Sequence, residues 1–361
     1  MRLKKKAHVL FSNLRALANY KRGSVHFRHQ PTHIWVEPTN HCNLNCIMCP
    51  TGANKVHIEK GFMELDLFKR IVDEVFPHTS SMTLAMGGES FLHPGLFDMI
   101  EYAESHQIKV SVNTNATLLD DAKIKSLLKS GLSYISFAFD GFSKAAYEQV
   151  RRGSDFEKTL GNIINFLEMK KKSRLKKPHT VLSMLDMNIS EPDENEKRSF
   201  LNQFNRLIDD IHIREVSSWG NVLKDSEDLK FHKYAGKIVP CGRLWNTLAV
   251  AWNGDVVPCS YNLNHEYTVG NVNKTSLSEI WNSSKLSDLR KAMLNGSYLQ
   301  LSPLCDNCTI INTPRFFGVP AGLRATLSDS IVNFLGYGFQ IKAISLANLF
   351  RKGKFASRRI R

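Results

Sequence analysis

The sequence predicts an α/β fold built on a mostly parallel sheet, and three observations carry that prediction. Six short β-rich runs recur along residues 33–216, segments with helical apolar spacing lie between them, and the two alternate in order from His33 onward. The runs are HIWVE (33–37), MTLAM (82–86), IKVSVN (108–113), YISFAF (134–139), TVLSML (180–185) and IHIREV (211–216). Between them, Leu65, Phe68, Ile71, Val72 and Val75 repeat at three- and four-residue steps, as do Phe156, Leu160, Ile163, Ile164 and Leu167. Both an open doubly wound sheet and a barrel satisfy six strand–helix repeats. In either, ligands gather at the C-terminal ends of the strands.

Beyond residue 230 the pattern changes to short turns such as NGD (253–255), one helical stretch near SLSEIWNSSKLSDLRKAML, and four of the seven cysteines. The sequence therefore divides into a basic N-terminal arm (1–31), expected to be helical, a strand–helix region (32–230), a small cysteine-rich module (231–312) and a basic amphipathic extension (313–361). The 361 residues carry +14. Each arm contributes +8, which leaves −2 for residues 32–312, so the charge does not describe a nucleic-acid-binding domain. The run KKKSRLKK (170–177) reads as a solvated helix end. In the N-terminal arm Leu10, Leu14, Leu17 and Ala18 share a helical face near Lys4–Lys6 and Arg15. In the C-terminal arm SIVNFLGYGFQIKAISLANLF runs into RKGKFASRRIR. Both suit helices lying on an anionic membrane surface or packed against the domain, rather than a spanning segment. No signal-peptide pattern opens the chain, so a cytoplasmic location is expected, possible at the inner face of the membrane.

The cysteines fall into two groups. Cys42, Cys46 and Cys49 form C-x3-C-x2-C directly behind the first strand. Three thiolates on a tight loop can hold three irons of a [4Fe–4S] cubane and leave the fourth open, whereas a closed site is structural. Zinc completed by His41 or His57 is the alternative. Cys241, Cys259, Cys305 and Cys308 supply four ligands at long and short spacing, which fits a fully ligated cluster or a zinc ribbon.

At these residues the chain resembles the radical S-adenosylmethionine (radical SAM) superfamily over roughly residues 32–312. The three-cysteine loop is similar to that family's cluster motif. Gly87, Gly88 and Glu89 look like its GGE motif, which meets the methionine part of SAM, and NTNAT (113–117), FDG (139–141) and VRRGSDFEKTLGNI (150–163) resemble later segments. The resemblance implies a partial (β/α)6 barrel, with Asn115, Asp140 and an arginine, Arg152 in preference to Arg151, at the SAM site. The stretches CGRLWNTLAVAWNGDVVPC, LSEIWNS and LCDNC resemble the SPASM/Twitch module, and four cysteines imply one auxiliary [4Fe–4S] cluster. The implied chemistry is one-electron cleavage of SAM to a 5′-deoxyadenosyl radical that takes hydrogen from a substrate C–H bond. Asn113, Asn115, Asp140, Asn188, Ser217 and Trp219 would lie at the barrel mouth.

An auxiliary cluster closed by four cysteines suits removal of the substrate's remaining electron, so net dehydrogenation of a sugar, aminocyclitol or lipid-linked glycan is expected. Peptide maturation and sugar epimerisation are the alternatives, with a non-catalytic metal-binding protein behind them. A flavodoxin or ferredoxin is the expected electron donor, and no nucleic acid is expected.

Overall fold

The structure is a computed structural model that describes residues 2–187, 193–226, 229, 231, 240–306, 308, 311, 319, 320 and 323, with side chains from residue 5 onward. The expected extension over 313–361 lies almost wholly outside the described residues, as does Asn188.

Six strands follow the six β-rich runs: β1 (His33–Val36), β2 (Ser81–Leu84), β3 (Lys109–Thr114), β4 (Tyr134–Ala138), β5 (His179–Asp186) and β6 (Asp210–Glu215). Each pairs in parallel with its successor. The connections contain α2 (Leu65–Val75), α3 (Leu96–Ser105), α4 (Asp121–Lys129), α5 (Lys144–Val150), α6 (Phe156–Lys172) and α7 (Glu194–Asn202). Asp120, Ser143, Asp155 and Asp193 cap four of these helices by accepting a backbone N–H, so the helix starts are written in the sequence. Strand alternation sends Ile34, Val36, Met82, Leu84, Val110, Val112, Ile135 and Phe137 into the helix-covered core, each fully buried.

The opposite face of the same strands is mixed, with Trp35, Val181 and Leu185 among many polar side chains. Register places His33 beside Ser81, Thr83 beside Ser111, Asn113 beside Ser136, and Ser183 beside His212. Barrel interiors are ordinarily packed with branched apolar side chains. Here the inner wall carries hydroxyls, imidazoles and an amide, linked by His33 to Ser81 (2.8 Å) and Thr83 to Ser111 (2.8 Å), with Arg214 donating to Ser183 (2.6 Å).

The cysteine-rich region does not stand apart from this sheet. Its first strand, β7 (Thr247–Val250), pairs in parallel with β1, and β8 (Asp255–Val257) and β9 (Gly270–Asn271) follow antiparallel. The result is one nine-stranded sheet in the order β6-β5-β4-β3-β2-β1-β7-β8-β9. Helices α8 (Leu277–Trp281) and α9 (Ser284–Asn295) complete the region.

The N-terminal arm forms α1 (Arg2–Arg22), as expected, but a different face is buried. Val9, Ser12, Asn13, Ala16 and Tyr20 pack inward, while Leu14 and Phe11 are exposed. The helix is fixed under the N-terminal ends of the strands: Lys5 Nζ donates to the carbonyls of His106 and Gln107, and Thr32 donates to Asn13 (2.6 Å). Polar anchoring, rather than a leucine stripe, sets its rotation. Among the described residues no helix is long and apolar enough to cross a membrane. Lys170 likewise departs from the solvated reading of 170–177, since it is buried and pairs with Asp209 at 2.7 Å.

Arg290 joins α9 to the chain that follows α1. It is fully buried, stacks on Phe27 (4.1 Å) and Trp281 (4.3 Å), and donates to the carbonyls of Val25, Leu244 and Trp281. Burial alone lowers its pKa, to about 9, which still leaves it charged at neutral pH. Replacing it with leucine strands three acceptors, and Arg290→Leu should cost about 3 kcal/mol in urea unfolding, against less than ~0.5 kcal/mol for the exposed Arg198→Leu. Equal stabilities would contradict this assignment.

Candidate functional site

The three-cysteine loop leaves β1 at its C-terminal end, and the chain folds back on itself to hold it. Thr39 Oγ1 donates to the Gly61 carbonyl, Asn40 accepts from the Gly61 N–H and donates to the Glu59 carbonyl, and Met63 N–H returns to Pro38. Within the loop, Cys49 N–H donates to the Cys46 carbonyl, and Gly52 lies so close that a Cβ there would stand 2.4 Å from Cys46 N. Asn45 and Ile47 donate to the carbonyls of Arg152 and Val150, which fastens the loop to the end of α5.

Burial pushes the Cys46 thiol up to about 12, with the neighbouring Cys49 and Cys42 adding repulsion and only Arg151 opposing it. Burial also raises Cys42. Two thiols pushed up by burial beside a third cysteine fit a metal cluster, whose cationic irons supply the compensation the protein lacks. Among the described residues no three cysteine sulfurs lie within 4.8 Å of one another. A single tetrahedral zinc at 2.3 Å per sulfur needs them about 3.8 Å apart. The wider spread suits a cubane better.

The GGE turn follows β2 and presses on this loop. A Cβ at Gly88 would lie 2.4 Å from the carbonyls of His41 and Thr39, and Glu89 N–H donates to the His41 carbonyl at 2.8 Å. Thr51 Oγ1 donates to the Gly87 carbonyl (2.7 Å). Glu89 is buried, which raises its pKa against the hydrogen bonds that lower it. Its Oε1 accepts from Thr114 Oγ1 and Phe91 N–H, and its Oε2 from Asn115 N–H alone, so one oxygen keeps room for an ammonium donor. Asn115 reaches the cysteine loop through Asn43 (2.9 Å) and also closes a turn onto Thr117. Asp140 is buried, accepts from Leu185 N–H and pairs with Arg151 at 2.6 Å, and Arg151 extends to Cys46 Sγ at 4.0 Å.

Thus Gly87, Gly88, Glu89, Asn115 and Asp140 converge on the loop. Arg151 reaches the cysteines, whereas Arg152 is exposed on the loop's outer side, lining a pocket of about 240 Å³ with Asn45, Ile47 and Leu223. Two neighbours in a turn cannot be ranked from sequence, because the non-helical C-cap at Arg151 decides which one points inward. Sequence reading also missed Glu37, which is buried and, among the described residues, has no ion-pair partner. Its Oε1 accepts from Gly87 N–H (2.9 Å) and its Oε2 faces Trp252 N–H (3.4 Å), so it ties the GGE turn to the end of β7. A glutamate at a strand end gives no signal of that role.

The four remaining cysteines gather at the other side of β1. Burial raises the thiols of Cys241, to about 12, and Cys305; Cys308 and Cys259 add repulsion at Cys241, and Cys259, Cys241 and Cys308 add it at Cys305. The loop after β6 spans the two groups. Trp219 Nε1–H donates to the Met48 carbonyl (3.0 Å), its ring meets Tyr261 at 4.8 Å, and Tyr261 N–H points to Cys259 Sγ at 3.4 Å. Trp219, Gly220 and Asn221 all have positive φ, and a Cβ at Gly220 would overlap the Leu304 carbonyl. Asn221 also donates to Asp306, next to Cys305.

Comparison with known proteins agrees with this geometry. Residues 36–194 match the model of the radical SAM superfamily, and residues 241–309 match the SPASM model, an iron–sulfur cluster-binding domain. A Pyrococcus furiosus protein named tungsten-containing aldehyde ferredoxin oxidoreductase cofactor-modifying protein is 26% identical, over 77% of this chain and 87% of its own. The Bacillus subtilis subtilosin biosynthesis protein AlbA is 23% identical over 73% of this chain and 62% of its own. Streptococcus suis SuiB bound to its precursor peptide SuiA superposes with TM-score 0.58 at 14% identity, covering 76% of this chain and 69% of that one. BtrN in complex with AdoMet and 2-DOIA gives 0.53 at 16% identity, covering 81% and 100%. These structures share the fold. The two domain models imply a SAM-binding [4Fe–4S] cluster and auxiliary iron–sulfur.

Two outcomes test the site. Gly88→Ala should weaken SAM binding roughly 100-fold by displacing the loop, measured by equilibrium dialysis on the reconstituted protein, and unchanged affinity would contradict it. Burial pushes the Glu37 carboxyl up to about 7, so the fold holds this proton more tightly than the unfolded chain. Its contribution to stability is therefore complete below about 4.5 and is lost as pH rises through about 7. Melting temperature should fall across that window in the wild type, and Glu37→Gln should flatten that part of the profile; identical slopes would reject it.

Proposed function

We propose that this chain, a member of the radical SAM superfamily with a SPASM iron–sulfur domain in the same sheet as its barrel, dehydrogenates a hydrophilic substrate of the sugar or aminocyclitol type. The observation that carries this reading is the inner wall. A run of His33, Ser81, Thr83, Ser111, Asn113, Ser136 and Ser183 places hydrogen-bonding groups on the face of the sheet away from the apolar core, where a packed barrel would be apolar. Hydroxyls and imidazoles in such a wall are donors and acceptors at once, the pairing a polyol needs.

When bound, the cluster and SAM supply the hydrogen-abstracting radical and the auxiliary cluster an electron acceptor. The chain supplies the rest. Cys42, Cys46 and Cys49 are proposed to hold the first cluster, and Glu89, through its less occupied oxygen, to take the amino group of SAM. Gly87 and Gly88 admit SAM close to the backbone, and the Asp140–Arg151 pair keeps a cation against the cysteine loop. Cys241, Cys259, Cys305 and Cys308 are proposed to close the auxiliary site. The polar wall orients the reacting C–H bond and keeps the radical from solvent. His33 is held neutral by burial, with a pKa lowered to about 4, so it enters the wall as a hydrogen-bonding imidazole rather than as a cation.

The experiment is a comparison of substrate classes. Anaerobically reconstituted protein with excess reductant forms 5′-deoxyadenosine slowly, and a polyol or aminocyclitol pool should raise that rate at least about tenfold with one ketone formed per deoxyadenosine. Cys305→Ala should keep deoxyadenosine formation and lose the ketone. Stimulation by peptides but not by polyols would overturn the reading.

A further inference from the structure

The cysteine-rich region contains a cation that none of the roles above uses. Arg243 belongs to a short 3-10 helix, Gly242–Trp245, whose N-cap is Cys241. Its guanidinium leaves that helix toward the second cysteine-bearing segment. Nη1 approaches Ser260 Oγ at 3.4 Å, one residue from Cys259, and the guanidinium carbon lies 5.3 Å from the Tyr261 ring and 5.9 Å from the Trp35 ring. Tyr261 is the residue whose N–H points to Cys259 Sγ. Trp35 alternates with the core residues Ile34 and Val36 and pairs in register with Thr83, so it belongs to the inner wall of the barrel.

Among the described residues no carboxylate lies within 4.0 Å of Arg243. The negative groups near it are the ionisable sulfurs. A guanidinium keeps its charge at any pH a protein meets, so this cation is a fixed feature of the site. The fold therefore places one permanent positive charge between the segments bearing Cys241 and Cys259, half-buried and within reach of two aromatic rings.

We propose that Arg243 is a positioning and tuning residue that raises the reduction potential of the auxiliary cluster and fixes that cluster against the wall of the substrate cavity. This rests on the four cysteines holding a cluster, but not on the identity of the substrate. The physical argument is direct. Reduction adds one negative charge to a site that already carries thiolates, and a nearby buried cation stabilises the reduced form more than the oxidised one. The guanidinium lies over the ring of Trp35 on β1, the strand that also carries the three-cysteine loop at its end. A lysine could supply the charge but not the planar stack; a glutamine could supply neither.

The test is a redox titration followed by electron paramagnetic resonance, in protein with Cys42, Cys46 and Cys49 all replaced by alanine so that only the second cluster contributes. Arg243→Gln should move the midpoint potential negative, enough to change the reduced-to-oxidised ratio at fixed potential by roughly tenfold. Arg243→Lys should retain most of the original value. Unchanged potential in Arg243→Gln would overturn the proposal. If Arg243→Gln fails to load iron while Arg243→Lys loads it, a positive charge is required there and the proposal stands; failure of both would assign Arg243 to folding and reject it. A shift in potential without any polyol oxidation would leave this assignment intact while removing the dehydrogenase reading.

Discussion

Burying thiols together is the constraint on which the rest of this structure depends. A cysteine sulfur in an apolar setting resists ionisation, and each neighbouring sulfur makes it harder. The chain nevertheless concentrates all seven cysteines in two such settings, and it offers each one a single arginine: Arg151 beside Cys46 and Arg243 between the segments of Cys241 and Cys259. One cation cannot neutralise three or four thiolates. The backbone around the first group is tight, with Gly52 and Gly88 bringing chain so close to the cysteine loop that no side chain fits.

The two sites also share supports. Strand β1 ends in the three-cysteine loop, pairs with β7 of the cysteine-rich region, and carries Trp35 on its inner face. Glu37, one residue beyond that strand, binds the GGE turn on one side and faces Trp252 on the other. Trp219 adds a second connection through Met48 and Tyr261. A movement at either site is therefore transmitted through packed and hydrogen-bonded groups rather than across a hinge.

Much of this was legible in the sequence. Strand alternation in the six runs, the apolar steps of α2 and α6, and the spacing of both cysteine sets are local patterns, and local patterns survive folding when nothing competes with them. What was hidden depends on contacts between distant residues. The pairing of β1 with β7 links segments more than two hundred positions apart and has no signature in either. The rotation of α1 is set by Asn13 meeting Thr32 and by Lys5 meeting two carbonyls, so the leucine stripe pointed to the wrong face. Glu37, Arg151 and Arg243 look like ordinary charged residues until their partners are known.

Spectroscopy of the anaerobically reconstituted protein, reduced and then mixed with SAM, addresses the central claim most directly. Two [4Fe–4S] signals should be present, and SAM should perturb one of them, the one lost in Cys46→Ala, while leaving the other unchanged. A single signal, or two signals that both respond to SAM, would contradict the division of the seven cysteines into an open site and a closed one.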